Sequence, residues 1–291
     1  MKKLILILMT AVLILTCTAC AEEEAGDLTS INDYIAPSYT YKLDIEGSDI
    51  DGTITFAEGV GDTAIIADYV GPYTAHEVVI PNTIDERIVV EIGKEAFYYC
   101  TAATKIVIPE TVTTIGDWAF AGCVNLETIV IPASVTSIGK GAFNGCEKLK
   151  SVVFMGTAVK TIGDFAFNGC TVLSEITLPT GLESVGAMAF HGCNALTSVN
   201  APETLKSIGD MAFYGCEGLN ADGAVTLTAS IENIGEFAFT GINKKFIKAP
   251  EGSFAAKYVS EMRDTEETET EPEAATTEST TETTTETTAA Q

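Results

Sequence analysis

Apolar residues in this chain recur with a period far longer than that of a helix or a single strand. The hexapeptides Ile92-Gly93-Lys94-Glu95-Ala96-Phe97, Ile115-Gly116-Asp117-Trp118-Ala119-Phe120 and Ile138-Gly139-Lys140-Gly141-Ala142-Phe143 share one pattern. It returns at Ile162-Gly163, Val185-Gly186, Ile208-Gly209 and Ile234-Gly235. The phenylalanines fall at 97, 120, 143, 167, 190, 213 and 239, in steps of 23, 23, 24, 23, 23 and 26. In the first six copies a cysteine follows three residues later, at 100, 123, 146, 170, 193 and 216. A fixed period of this length is the signature of a solenoid.

Each copy has a second half, clearest in Leu126-Glu127-Thr128-Ile129-Val130-Ile131-Pro132. Alternating β-branched residues predict a short strand, which the proline ends because it cannot donate to a ladder. The Ile-Gly-x-x-Ala-Phe half suits a tight helical turn or irregular arc. One such unit cannot bury its apolar face alone, whereas stacked copies form columns of like residues about 4.8 Å apart. The fold class expected is therefore a β-rich solenoid of repeats of about 23 residues.

The flanks read as caps. Val78-Val79-Ile80-Pro81 followed by Val89-Val90-Glu91-Ile92-Gly93 is a degenerate first repeat with an inserted turn. Upstream, Thr53-Ile54-Thr55-Phe56 and Thr63-Ala64-Ile65-Ile66-Ala67 predict strands that cover its open edge, as a terminal repeat requires. Downstream, Gly252-Ser253-Phe254-Ala255-Ala256-Lys257-Tyr258 predicts a short capping helix with Ser253 as its N-cap. In the last repeat Ile242 stands where the cysteine falls elsewhere.

Both ends differ in kind from the middle. Lys2-Lys3 precedes an apolar run over residues 4–16, too short for a bilayer span of about 20 residues, so it predicts a signal peptide. The following Cys17-Thr18-Ala19-Cys20 resembles the lipobox of bacterial lipoproteins, which implies diacylation at Cys20; ordinary cleavage and release is the other outcome. Cys17 takes the place of the usual lipobox leucine. From 261 to 291 the chain is almost entirely Thr, Glu, Ala and Ser, a composition that cannot bury enough surface to order itself. The organisation expected is 1–19 signal peptide, 20–38 anchor spacer, 39–91 N-terminal β cap with the degenerate repeat, 92–260 solenoid and 261–291 disordered tail.

The formal net charge of −25 is concentrated in the flanks. Residues 20–91 hold 16 acidic and 2 basic side chains, 92–260 hold 15 and 11, and 261–291 hold 10 and 1. Nucleic acid is a poor partner for such a chain, because phosphate binding needs a basic surface. The membrane is expected as a partner only through the N-terminal lipid.

The pattern Ile-Gly-x-x-Ala-Phe-x-Gly-Cys-x-x-Leu-x-x-Ile-x-Ile-Pro-x-x-Val is similar to the BspA-like class of leucine-rich repeats, over about residues 78–260. That resemblance implies a bacterial surface protein, and several members of the class are implicated in adhesion to host matrix or to other bacteria. The spacing itself shows only the solenoid.

Several constellations invite chemistry and are better read as structure. Stacked cysteines about 5 Å apart have parallel side chains, a poor geometry for disulfides, and a linear column of thiols does not converge on zinc. They read as small buried hydrophobes. His76 and His191, the only histidines, lie too far apart to form a dyad; the His191 position carries Tyr98, Ala121, Asn144, Asn168 and Tyr214 in other repeats, so it is a tolerant surface position. Gly59-Val60-Gly61-Asp62-Thr63-Ala64 matches a dinucleotide fingerprint but precedes a strand, so a hairpin turn is expected. Asp49-Ile50-Asp51-Gly52 lacks the further oxygens of a calcium loop. No catalytic residue, metal site or cofactor is expected.

Strand faces say more. With Ile129 and Ile131 inward, Thr128 and Val130 point outward. The outward column then runs Val107, Val130, Val153, Thr177 and Asn200, beside a second of Lys105, Thr128, Ser151, Glu175 and Ser198. Three adjacent exposed valines form an apolar patch of the sort that marks partner sites, although β-branched residues also suit sheet surfaces generally. Trp118, Phe165 and Met188 share one arc position and read as packing between turns. The function expected is a non-catalytic, adhesin-like binding protein at the outer face of the cell membrane, taking a surface protein or glycan. A structural envelope element without a soluble ligand is the rival.

Overall fold

The computed structural model describes residues 38–43 and 52–262. The expected signal peptide, Cys20 with residues 21–37 of its spacer, the Asp49-Ile50-Asp51 turn and residues 263–291 of the expected tail lie outside the described residues. Ser38 opens a strand, and Glu261, the first residue of the expected disordered tail, instead ends a helix. Between the ends the chain winds as a β-solenoid in which each coil supplies two short strands and an arc. Among the described residues these strands build sheets of eleven, five and three strands.

The N-terminal lid comes first: β1 (Ser38–Leu43), β2 (Gly52–Glu58) and β3 (Thr63–Val70). β2 and β3 pair antiparallel across the 59–62 turn, so Gly59 and Gly61 do belong to a hairpin. Next come β4 (His76–Val79), β5 (Thr83–Ile84) and β6 (Arg87–Ile92). The inserted turn of this first repeat is a two-residue hairpin, with Asp85 and Glu86 at φ 47° and 67°. From β6 the longest sheet continues in parallel, one Thr/Ser/Asn-Ile/Val pair per coil, from Thr114–Ile115 to Asn233–Ile234.

One column of phenyl rings runs through the core. Phe120, Phe143, Phe167, Phe190 and Phe213 stack at centroid spacings of 5.1 to 5.3 Å. Tyr69 continues the column above Phe97, at 5.0 Å. Beside it each cysteine thiol from Cys123 onward donates to the carbonyl of the phenylalanine one coil back, as in Cys123 to Phe97 at 3.2 Å and Cys216 to Phe190 at 3.1 Å. The thiols are free and, after the half-buried Cys100, fully buried. Cysteine is thus more than a small hydrophobe here, since it is short enough to fit and still satisfies a lone pair of the neighbouring carbonyl.

The arc explains the invariant spacing of the hexapeptide. The amides of Glu95, Phe97 and Tyr99 donate across to Asp117, Ala119 and Ala121 of the next coil. Those of Ala96, Tyr98 and Cys100 close turns onto Gly93, Glu95 and Phe97. Such alternation demands a left-handed residue in each arc: Glu95, Trp118, Gly141, Phe165, Met188, Met211 and Phe237 all have φ between 53° and 60°. For a residue with a side chain this costs about 1–2 kcal/mol. The glycine after Ile meets a different demand. A Cβ on Gly116 would stand 2.8 Å from the backbone of Gly93, so only glycine lets the coils close to this distance.

At the C-terminal end α1 (Phe254–Glu261) lies across the last coil. Ser253 caps it, its hydroxyl accepting from the Ala256 amide at 3.1 Å.

Candidate functional site

The face that matters is the outer surface of the five-stranded sheet, formed by β4, Ala103–Val107, Thr128–Ile131, Ser151–Phe154 and Glu175–Ile176. The strand Thr128–Ile131 alternates strictly, Ile129 and Ile131 buried and Thr128 and Val130 exposed. Register places Val130 directly opposite Val153, and Val79 opposite Val107. Four coils therefore carry valine at one outward position. Val79, Val130 and Val153 are 53%, 47% and 46% exposed, and Val107 is half-buried. Val79 is absent from the column read off the repeat pattern, because the inserted hairpin of the first coil hides its alignment.

Thr177 continues the exposed line past Val153, but Asn200 does not join it. The five-stranded sheet ends at Glu175–Ile176, and Val199–Asn200 opens a separate sheet with Val225–Thr226 and Ile247–Lys248. Asn200 accordingly aligns with Thr226 and Lys248. Of the five predicted residues the structure groups four and leaves the fifth across a break.

Where the column ends the surface opens. The third repeat is one residue longer and puts Met155-Gly156 where the others have a single proline, Pro109 or Pro132. Met155 is 59% exposed. A shallow depression of about 510 Å³ follows, lined among others by Val153, Met155, Gly156, Thr177 and Thr180. Its step in length, 24 instead of 23, was the signal in the sequence.

Beside the valines the surface is polar and held by ion pairs between coils. Lys105 reaches Glu77 at 2.7 Å and Lys150 reaches Glu127 at 2.9 Å. The hydrogen bond from Lys150, and then its charge, hold the Glu127 carboxyl below the usual range. Lys160–Glu183 and Lys206–Glu232 pair at 2.9 and 3.2 Å in another column. All are exposed, so each contributes little stability while favouring one register.

Other candidates from the sequence resolve into structure. Burial pushes the Cys146 and Cys216 thiols up to about 12 and that of Cys100 up to about 11, far from the depressed values of reactive cysteines. His76 is buried: its Nδ1 donates to the Thr74 carbonyl at 2.7 Å, and Nε2 accepts from the Tyr69 hydroxyl at 2.9 Å. Trp118 lies against Gly141, its ring filling the space of the missing side chain. Phe165 and Met188 are half-buried along the same line. Among the described residues no three His, Cys, Asp or Glu side chains converge as a metal ion requires, and no helix is long and apolar enough to cross a membrane.

The model of the BspA-type leucine-rich repeat region matches six copies over residues 90–220. The crystal structure of a T. pallidum leucine-rich repeat protein is 30% identical, with a TM-score of 0.61 over 70% of this chain and 92% of that one. This chain belongs to the BspA-type leucine-rich repeat family. A BspA-type coil is thus the unit described above, two strands and a left-handed arc. A leucine-rich cell surface protein from Faecalibacterium prausnitzii is 27% identical, TM-score 0.55, over 72% of this chain and 54% of that one. A leucine-rich repeat protein from Eubacterium ventriosum is 31% identical, TM-score 0.57, over 68% and 50%. The chain spans about half the length of these last two. A search of curated proteins finds no match.

Proposed function

We propose that this is a non-catalytic binding protein of the bacterial cell surface, tethered by lipid at Cys20, that presents its five-stranded sheet to a ligand. The observation that carries the reading is the outward valine line Val79, Val107, Val130 and Val153, running into the depression beside Met155. Solenoids bind through surfaces assembled from equivalent positions, and contiguous exposed apolar residues mark partner sites. Between a protein and a glycan ligand, the apolar line favours a protein. Support for the location comes from the Faecalibacterium relative, which is described as a cell surface protein.

The test is binding of the mature chain to an array of matrix proteins and surface glycans, with Val130→Glu/Val153→Glu as control. A saturable hit lost in the double variant supports the reading. Blank arrays from folded protein turn it into a structural envelope element, with ordinary valines on a solvated sheet. Release of a Cys20→Ala chain into the medium, against membrane retention of the wild type, checks the anchor.

A further inference from the structure

Four consecutive coils carry a polar side chain at the same point of the arc, directly after the core phenylalanine: Asn144, Asn168, His191 and Tyr214. They continue one another along the solenoid axis. Asn168 Nδ2 donates to Asn144 Oδ1 at 2.6 Å, and the rings of His191 and Tyr214 stack with centroids 5.2 Å apart and planes 8° apart. All four reach solvent, Tyr214 being 39% exposed. The row of large polar side chains stops at Ala121, buried, on one side and gives way to the short, exposed Thr240 on the other.

Other asparagines of the coils serve the backbone, Asn125 and Asn220 among them. Asn125 donates to the Thr101 carbonyl, and Asn220 donates to the Gly241 carbonyl while accepting from the Asn243 amide. Asn144 and Asn168 do neither. Their mutual bond leaves a donor on Asn144 and an acceptor on Asn168, and the polar atoms of His191 and Tyr214 have no protein partner among the described residues. The strip thus offers a short line of neutral donors and acceptors, with one face of the Tyr214 ring free of a stacked neighbour. On a chain of net charge −25, a neutral strip suits a neutral polyhydroxyl ligand.

The repeat distance narrows the class. Equivalent rings of successive coils lie 5.1 to 5.3 Å apart, centroid to centroid. An extended chain of β-linked pyranoses advances by nearly this distance per sugar, whereas α-linked glucans coil and lose step. We propose that Asn144, Asn168, His191 and Tyr214 bind a linear, neutral β-linked glycan laid along the solenoid, about one sugar per coil. This site is separate from the valine face and does not depend on it.

The experiment is calorimetry of the full chain with cello- and chito-oligosaccharides of increasing length, and with a malto-oligosaccharide as the α-linked control. Affinity rises with each sugar until the strip is filled and then levels off. Asn168→Ala and Tyr214→Thr borrow the residues that the row already carries at 121 and 240, so both variants fold. Each weakens binding about tenfold, as the loss of one polar or stacking partner does, and Val153→Glu leaves it unchanged. Absence of binding to every β-linked probe overturns the proposal. So does equal binding of the α-linked control, or binding that survives both strip variants.

Discussion

Tyr258 stands edge-on against Phe239, their ring centroids 6.3 Å apart and their planes at 68°. Its hydroxyl donates to the Gly235 carbonyl at 3.4 Å. The last phenylalanine of the core column is thereby covered by a ring that turns its polar end to the backbone and cannot itself be stacked upon. Tyr69 covers Phe97 at the other end, with its hydroxyl held by His76.

Removing the lid exposes the column. Tyr258→Ala should destabilise the protein by about 2 kcal/mol, below the range of fully buried aromatic truncations because Tyr258 is half-buried. Urea unfolding followed by circular dichroism measures it. A loss below about 1 kcal/mol, or one confined to local fraying of α1 by hydrogen exchange, would show the lid to be dispensable.

The glycine stack sets the coil distance. Gly116→Ala places a methyl 2.8 Å from the backbone of Gly93, where no flexible side chain can give way. A cost of about 1–3 kcal/mol is expected from forced overpacking. Gly145→Ala is the comparison: its Cβ would have open space, and its φ of 70° charges only the left-handed term. Thermal melts in which Gly116→Ala is no worse than Gly145→Ala would contradict this account.

Buried thiols make stability fall in alkali. Burial raises the folded-state value of Cys146 from 9.0 to about 12, so the unfolded chain releases its proton first. The contribution is complete below pH 9 and declines as pH rises from 9 toward 12. At one unit above the unfolded value, each such thiol costs about 1.4 kcal/mol. Denaturant midpoints at pH 8 and pH 10 should differ clearly in the wild type, and by less in Cys146→Ala once its lower baseline is subtracted. Equal slopes in the two proteins would sink the prediction.

The valine face is built for exposure. Val130→Glu/Val153→Glu should change stability by no more than about 0.5 kcal/mol per site, as for other surface positions. Scanning calorimetry showing a collapse in melting temperature would mean that the valines pack within the structure and present no docking face.

Much of this architecture was legible because the repeat places like on like. The Phe, Cys and Ile columns, both lids and the Ser253 cap follow from spacing and residue type alone. The left-handed arc did not, since Trp118, Phe165 and Met188 carry no mark of positive φ; only Gly141, at the same place in its own coil, hints at it. Val79 escaped because its coil holds an inserted hairpin. The break after Ile176 escaped because Glu175-Ile176 and Ser198-Val199 have the same polar-apolar pattern, and the pairing that separates them lies in the backbone. The thiol-to-carbonyl bonds were equally invisible, being contacts between coils.

The two tyrosine lids close the same column of rings, whatever lies between them. Each lid packs on the coil beside it, Tyr69 on Phe97 and Tyr258 on Phe239, so the number of coils between them is a free variable. Whole coils of one period could enter or leave the gene by duplication or deletion, and both lids would still fit. Length in this architecture is therefore heritable in discrete units, and with it the reach of whatever face the coils display.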